Sequence, residues 1–258
     1  MSNSLWAAGR YESVAERIAT IAGQTVAAVE RRRPLSGATL VDLACGTGSA
    51  SLAAAARGAL VTGVDLTPEL IEIAEHKARS AGQTVTWVAA DAADTKLPGG
   101  AFDAVVSNMG IIFVDPDRQV GELGRLLKPA GVLAFSSWVR GVSNPFFDPI
   151  VAVLGAPPTT GFSPDQWGDP AIATGRLADC FTDVDVDDGM FTWEFASLDA
   201  ALHFLIHESP MHVEVFRRVE GTQRERLEAA FRGALRPHVK EGGVSFDTPY
   251  VVISASRR

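Results

Sequence analysis

The stretch VDLACGTGSAS, residues 41–51, ends an apolar run in two glycines, Gly46 and Gly48, with Asp42 and Cys45 set among them. A β-rich run that stops at glycines and continues into small residues reads as a strand, a tight turn and the start of a helix. Such a turn lets backbone approach a ligand closely, and the unpaired N–H groups of the helix that follows favour an anionic group. The flanking residues restrict which ligand. A dinucleotide turn reads G-x-G-x-x-G, but Ser51 stands where its third glycine belongs, and Asp42 lies six residues before Gly48, where it would repel a pyrophosphate. No lysine follows the second glycine, which removes the P-loop reading. The acid suits a ligand that carries an ammonium group together with a carboxylate.

Outward from this turn the chain alternates. The β-rich runs TLVDLA, LVTGVD, VTWVAA, FDAVVSN and GVLAFSSW are separated by helical stretches at 49–58, 67–80 and 116–127. That alternation predicts a doubly wound, mostly parallel sheet with helices on both faces. After Trp138 comes a passage rich in Pro, Gly and Phe through 168, a helix near 170–179 and the β-like run DVDVDDGMFTWEFA. Helical segments at 198–219 and 222–238 precede a last strand, TPYVVISAS, which brings the sheet to seven strands. The reading is an α/β chain, residues 1–258, of one domain: a helical cap over 1–35, a cofactor-binding core over 36–140, and a helical lid over about 198–238. Within the cap, Val14, Ile18, Ile21 and Val29 predict one amphipathic helix over 10–31, entered through Trp6 and Tyr11.

Two more acids follow two more strands. Asp65 ends LVTGVD, where a carboxylate can accept from both hydroxyls of a ribose and disfavours a 2′-phosphate. In AADAAD, Asp91 can accept from the exocyclic amine of an adenine, while Ala92 leaves space for the ring. Each acid alone could be a cap or a solvated loop residue, but the strand-end placement recurs in order.

In these residues the chain resembles a class I S-adenosylmethionine-dependent methyltransferase of the small-molecule, ubiquinone-biosynthesis-like kind, from about Trp6 to Trp138. The family's first motif falls on Asp42, Ala44, Gly46 and Gly48, with alanine in the first glycine's place and Cys45 inside the loop. The resemblance puts the ribose acid on Asp65 beside Leu66, the adenine-side pair on Asp91 and Ala92, and the fourth strand's end on Ser107, Asn108 and Met109. The block LLKPAGVLAFSSW matches the lead-in to the fifth strand. It implies a Rossmann-like fold, S-adenosylmethionine as cofactor and S-adenosylhomocysteine as product.

Composition narrows the partners. A formal net charge of −8 argues against polyanions, and the basic run Arg31–Arg33 reads as a helix end before Pro34. The fourth strand leads into SNMGIIF rather than the Pro-Pro-aromatic pattern of nucleic-acid amino-methyltransferases, and the pair Pro157-Pro158 lies elsewhere. No apolar run is long enough to span a membrane and the first ten residues lack a signal-peptide centre. Two distant cysteines suggest neither a disulfide framework nor a zinc knuckle, so the expected compartment is the cytoplasm. The expected acceptor is a small, partly apolar molecule, and a homodimer is left open.

Methyl transfer asks mainly for alignment in a dry pocket, aided by aromatic faces such as Trp6, Tyr11, Phe113 and Trp138 near a sulfonium. If the acceptor must lose a proton, the run HFLIHESPMH offers His203, His207 and His212 as bases, with His207 first because Glu208 adjoins it. H-E-x-x-H is absent, and no metal is expected. Two alternatives stay open at this point. One is a nicotinamide-dependent oxidoreductase; the other uses the cofactor structurally or for a non-methyl reaction.

Overall fold

The computed structural model describes residues 5–141, 143–156 and 161–258; the Pro157-Pro158 pair lies outside them. Eight strands are present among the described residues: β1 (Thr39–Leu43), β2 (Leu60–Asp65), β3 (Val85–Ala89), β4 (Phe102–Asn108), β5 (Leu127–Trp138), β6 (Phe181–Phe195), β7 (Val239–Lys240) and β8 (Gly243–Arg257). Seven run in the order β3-β2-β1-β4-β5-β8-β6, with the short β7 paired to β8 off that path. The sheet is parallel from β3 to β5, and β8 joins β5 antiparallel. This is the expected doubly wound α/β sheet. The extra strand, β7, is only two residues long and falls where the sequence reads as the end of a helix.

Burial explains why the central strands read as continuous apolar runs. Leu40, Val41, Asp42 and Leu43 of β1 are all buried, because helices cover both faces of a parallel sheet. Strand order reverses direction on either side of β1, and parallel strands place their C-terminal ends on one edge. Ligands of such sheets bind there. Register sets Asp42 beside Gly63 of β2 and Val106 of β4, Asp65 beside Ala89 of β3, and Asn108 beside Ser136 of β5.

The chain forms two compact units. The larger holds Ala15–Arg140, Phe162–Gly189 and Tyr250–Arg258; the smaller holds residues up to Val14, Gly141–Gly161 and Met190–Pro249. The smaller unit is therefore broader than a lid over 198–238, since it gathers three separate pieces of chain. The helix expected over 10–31 is two, Tyr11–Arg17 and Ala19–Arg32, broken at Ile18, whose backbone leaves helical geometry at φ −91°, ψ 11°. The second helix stops where expected: Arg33, held extended by the following proline, has φ −156° and ψ 145°. The basic run does more than end that helix, because Arg31 pairs with Asp187 and Arg32 with Asp185 at 2.7 Å, both on β6.

In the smaller unit, the helix expected over 198–219 is three pieces. An α-helix, Leu198–His203, runs into a π-helical turn, Phe204–Glu208, and Pro210, which lacks a backbone N–H, opens a separate helix Pro210–Arg217. The unit's core is aromatic: Phe146 packs 5.1 Å from Trp193 and 5.0 Å from Phe246, and Phe195 lies 5.4 Å from Phe204.

Candidate functional site

In the larger unit the turn after β1 is built from left-handed backbone. Ala44, Gly46 and Gly48 have φ of 51°, 53° and 83°. Glycine adopts this region freely, whereas an alanine there costs roughly 1 kcal/mol, so Ala44 holds its position under strain. Gly48 has a second requirement, because a Cβ there would stand 2.8 Å from the Trp87 ring. Gly63 beside it is under the same ring, at 2.4 Å for a Cβ. Trp87, on β3, thus packs over both glycines.

Asp42, fully buried, accepts the Ser51 hydroxyl on Oδ2 at 2.7 Å, while its Oδ1 has no partner. Burial raises its pKa to about 7, against a smaller lowering by the Ser51 hydrogen bonds. Asp65 is buried too, and burial raises its pKa. Its Oδ2 takes the Gly46 N–H at 2.8 Å and its Oδ1 the Thr67 N–H at 2.9 Å, which ties the turn after β1 to the turn after β2. Leu66, next to it, is exposed. The Cys45 thiol is buried with its pKa pushed up by that burial, the opposite of a reactive thiolate.

The turn after β3 is closed by Asp91, whose Oδ1 accepts the Ala93 N–H at 2.9 Å and whose Oδ2 faces Arg118 at 3.3 Å. Ala92 is buried. At the end of β4, Ser136 organises the backbone: its hydroxyl donates to Asn108 Oδ1 at 2.8 Å and accepts the Met109 N–H at 3.0 Å. Met109 has φ 56°, a second strained residue at the same sheet edge. Ser107 Oγ donates to the Leu43 carbonyl at 2.7 Å and accepts the Ile111 N–H at 3.1 Å, which joins the β1 and β4 ends. The structure therefore brings Asp42, Ala44, Cys45, Gly46, Gly48, Asp65, Leu66, Asp91, Ala92, Asn108 and Met109 to the C-terminal ends of four neighbouring parallel strands.

The comparisons decide the family. A family described as a methyltransferase domain matches residues 41–135. An uncharacterized protein of Mycobacterium tuberculosis is 31% identical over 207 residues, which is 78% of this chain and 73% of that protein. The chain belongs to the class I S-adenosylmethionine-dependent methyltransferases. A demethylmenaquinone methyltransferase of Thermus thermophilus is 38% identical over 126 residues, covering 45% of this methyltransferase and 57% of its own length. The YcgJ protein from Bacillus subtilis shares the fold, with a TM-score of 0.59 at 16% identity over 91% of this chain and 98% of that one. The oxidoreductase reading falls with this assignment.

The residues present fit the cofactor of a methyltransferase. Asp42 Oδ1, Thr47 Oγ1 and Thr67 Oγ1 are buried without partners among the described residues, and all three lie on the turns after β1 and β2 or on the strand leading into them. A buried carboxylate oxygen is an acceptor for an ammonium, and buried hydroxyls can donate to a carboxylate or a ribose. Ser51, Thr47 and Thr67 carry no binding signature in the sequence taken alone. Ser51 is marked there only as the serine that replaces the third glycine of the dinucleotide pattern.

Of the other expected residues, Phe113 and Trp138 lie in the larger unit, while Trp6, Tyr11 and the three histidines belong to the smaller one. Trp6 meets Tyr11 edge-on at 6.1 Å, and Gly9, at φ 67°, lies so close to the Glu208 carbonyl that a Cβ would stand 2.6 Å from it. The Arg10 N–H donates to that carbonyl at 2.8 Å, and its guanidinium lies 3.7 Å from the Glu208 carboxylate. His203 and His207 have ring centroids 4.8 Å apart. The carboxylate expected to orient His207 faces His203 instead, with Glu208 Oε1 3.8 Å from His203 Nε2. The π-helical turn accounts for the difference, since it rotates residues 204–208 away from regular helical spacing.

His212 is not available as a base. It is buried, its Nδ1 is paired with Ser209 Oγ at 2.7 Å and its Nε2 with the Phe146 carbonyl at 2.9 Å. Burial lowers its pKa to about 4, so it is neutral at ordinary pH and ties the Ser209 turn to the Phe146 segment. No cluster of three or more metal-ligating side chains occurs among the described residues. No helix among them is long and apolar enough to cross a membrane.

Proposed function

We propose that this methyltransferase modifies a small, partly apolar metabolite, using the turn after β1 and the acids Asp42, Asp65 and Asp91 to hold S-adenosylmethionine. The observation that carries the reading is the buried Asp42 carboxylate with one oxygen satisfied by Ser51 and the other left without a partner. Asp42 Oδ1 accepts the ammonium end of the cofactor, and Asp65, already fixed by two backbone N–H groups, has lone pairs remaining for the ribose hydroxyls. The cofactor supplies an electrophilic methyl group on a sulfonium.

Where the acceptor must lose a proton, His203 is the proposed base, with the Glu208 carboxylate 3.8 Å from its Nε2. The named activity of the Thermus thermophilus relative supports an apolar acceptor, and the net charge of −8 supports a small molecule over nucleic acid. The two free cysteines suit a reducing cytoplasm.

The test is to incubate the purified protein with S-adenosylmethionine and a panel of phenols, hydroquinones and apolar carbon acids, and to follow S-adenosylhomocysteine and methylated product by mass spectrometry. Product from an apolar member of the panel is expected. Turnover only on nucleic acid, or on strongly polar acceptors, would overturn the acceptor reading.

A further inference from the structure

The helix Pro116–Leu126, which follows β4, grips the loop after β3 with one face. Arg118 reaches Asp91 Oδ2 at 3.3 Å, Gln119 Nε2 donates to the Ala92 carbonyl at 3.2 Å, Glu122 Oε1 accepts the Thr95 N–H at 3.0 Å, and Arg125 donates to the Leu97 carbonyl at 2.7 Å. Positions 118, 122 and 125 repeat at helical spacing, and 119 borders them. Arg118 and Arg125 are exposed or partly so, and the Glu122 carboxylate is used on both oxygens. Gln119 differs from all three.

Gln119 is completely buried, and its amide oxygen Oε1 has no partner among the described residues. The amide cannot turn over to relieve this, because the Ala92 carbonyl is an acceptor only and needs the Nε2 donor. Oε1 is therefore a fixed, buried, unused acceptor next to the adenine-side pair. A buried polar atom without a partner is unfavourable, and a leucine would fill the space without one. Asp91 already accepts from the Ala93 N–H and faces Arg118, and its side chain is partly exposed, whereas Gln119 Oε1 is buried and entirely unused.

We propose that Gln119 is a specificity-determining residue for the cofactor's adenine: Nε2 fixes the turn at Ala92, and Oε1 is the acceptor kept for the exocyclic amine. The inference rests on the reading that Asp91 and Ala92 form the adenine side of the site. It accounts for both halves of the side chain with one ligand.

The test compares calorimetric affinities for S-adenosylhomocysteine and for S-inosylhomocysteine, in which an oxygen replaces the amine. The unmodified protein should prefer the adenine form. Gln119→Leu should reduce that preference at least about tenfold, what loss of one buried hydrogen bond produces; Gln119→Met, closer in shape, serves if the leucine variant does not fold. Thr95→Val, which cuts another tie of the same loop, should lower the melting temperature and keep the preference. Asp91→Ala separates the two readings. If Asp91→Ala weakens binding while Gln119→Leu keeps the full preference, the role of Gln119 is overturned and the adenine site stands. If neither variant alters binding, both are overturned.

Discussion

Asp65 Oδ2 accepts the backbone N–H of Gly46 at 2.8 Å, across 19 positions of sequence. The acid at the end of β2 therefore shapes the glycine turn of β1 before any ligand arrives, and it does so while its other oxygen holds the Thr67 N–H. A residue read from sequence as a ribose ligand is also a brace.

Asp65→Asn should consequently damage two properties together. The amide presents a donor to one of two backbone donors, which removes one charge-assisted hydrogen bond and weakens the other, a loss of about 2–4 kcal/mol in unfolding free energy. Cofactor affinity should fall in the same variant. Denaturant melts and calorimetry check this, and a variant with reduced stability but unchanged affinity would leave Asp65 a brace alone.

The dual role shows what the sequence could convey. Strand-end acids and the glycine turn were legible because each depends on local spacing: Asp42 and Asp65 stand in the last residues of β1 and β2, Asp91 just after β3, and continuous burial of β1 makes its apolar run conspicuous. The break at Ile18, the π-helical turn at Phe204–Glu208 and the grouping of Gly141–Gly161 with Met190–Pro249 were not legible, since long-range packing sets them. Gln119 escaped notice for the same reason. A glutamine on a helix reads as solvated until the structure shows what covers it.

The second prediction concerns pH. Asp42 has its pKa raised to about 7 in the folded, ligand-free protein, against the ordinary 3.8 of the unfolded chain. Between those values the folded state binds the extra proton, so this group's contribution to stability declines as pH rises from about 4 to 7 and is level on either side. Ionising the buried acid costs a few kcal/mol by the size of that shift. The difference in unfolding free energy between Asp42→Asn and the unmodified protein should therefore move in favour of asparagine from pH 5 to pH 8. Cofactor binding near neutral pH should also release a proton, seen by calorimetry in buffers of different ionisation enthalpy, and Asp42→Asn should abolish the release. A difference that stays constant with pH would show Asp42 to be ionised throughout.

His212 gives the opposite slope in the smaller unit. Its pKa is lowered from 6.5 to about 4, so the unfolded chain binds the extra proton between those values. Stability from this group is complete above about 6.5 and is lost as pH falls towards 4. His212→Gln should lose some stability at neutral pH, on the order of 1–3 kcal/mol for two disturbed buried hydrogen bonds, and should show a shallower decline on acidification. Acid titration followed by tryptophan fluorescence, with Trp193 packed against Phe146 as a local reporter, measures it. An equally steep decline in the variant would assign the acid sensitivity elsewhere.

The last prediction separates the two remaining histidines. His203 has a carboxylate 3.8 Å from Nε2, whereas His207 has as its neighbour the His203 ring itself, 4.8 Å away. A carboxylate beside an imidazole fixes the orientation of the ring, so the base should be His203. His203→Gln should lower kcat by the roughly 10²- to 10⁴-fold typical of a lost general base while cofactor affinity holds. His207→Gln should have the smaller effect. Glu208→Gln should reproduce part of the His203 loss, because it removes the carboxylate that orients the ring; it also cuts the pairing with Arg10, and Arg10→Ala controls for that contact. Should His207→Gln prove the more damaging, the base is His207 and the carboxylate is a tether for Arg10. Full turnover in both variants would instead mean that the acceptor needs no base from this pair, and that alignment alone carries the methyl transfer.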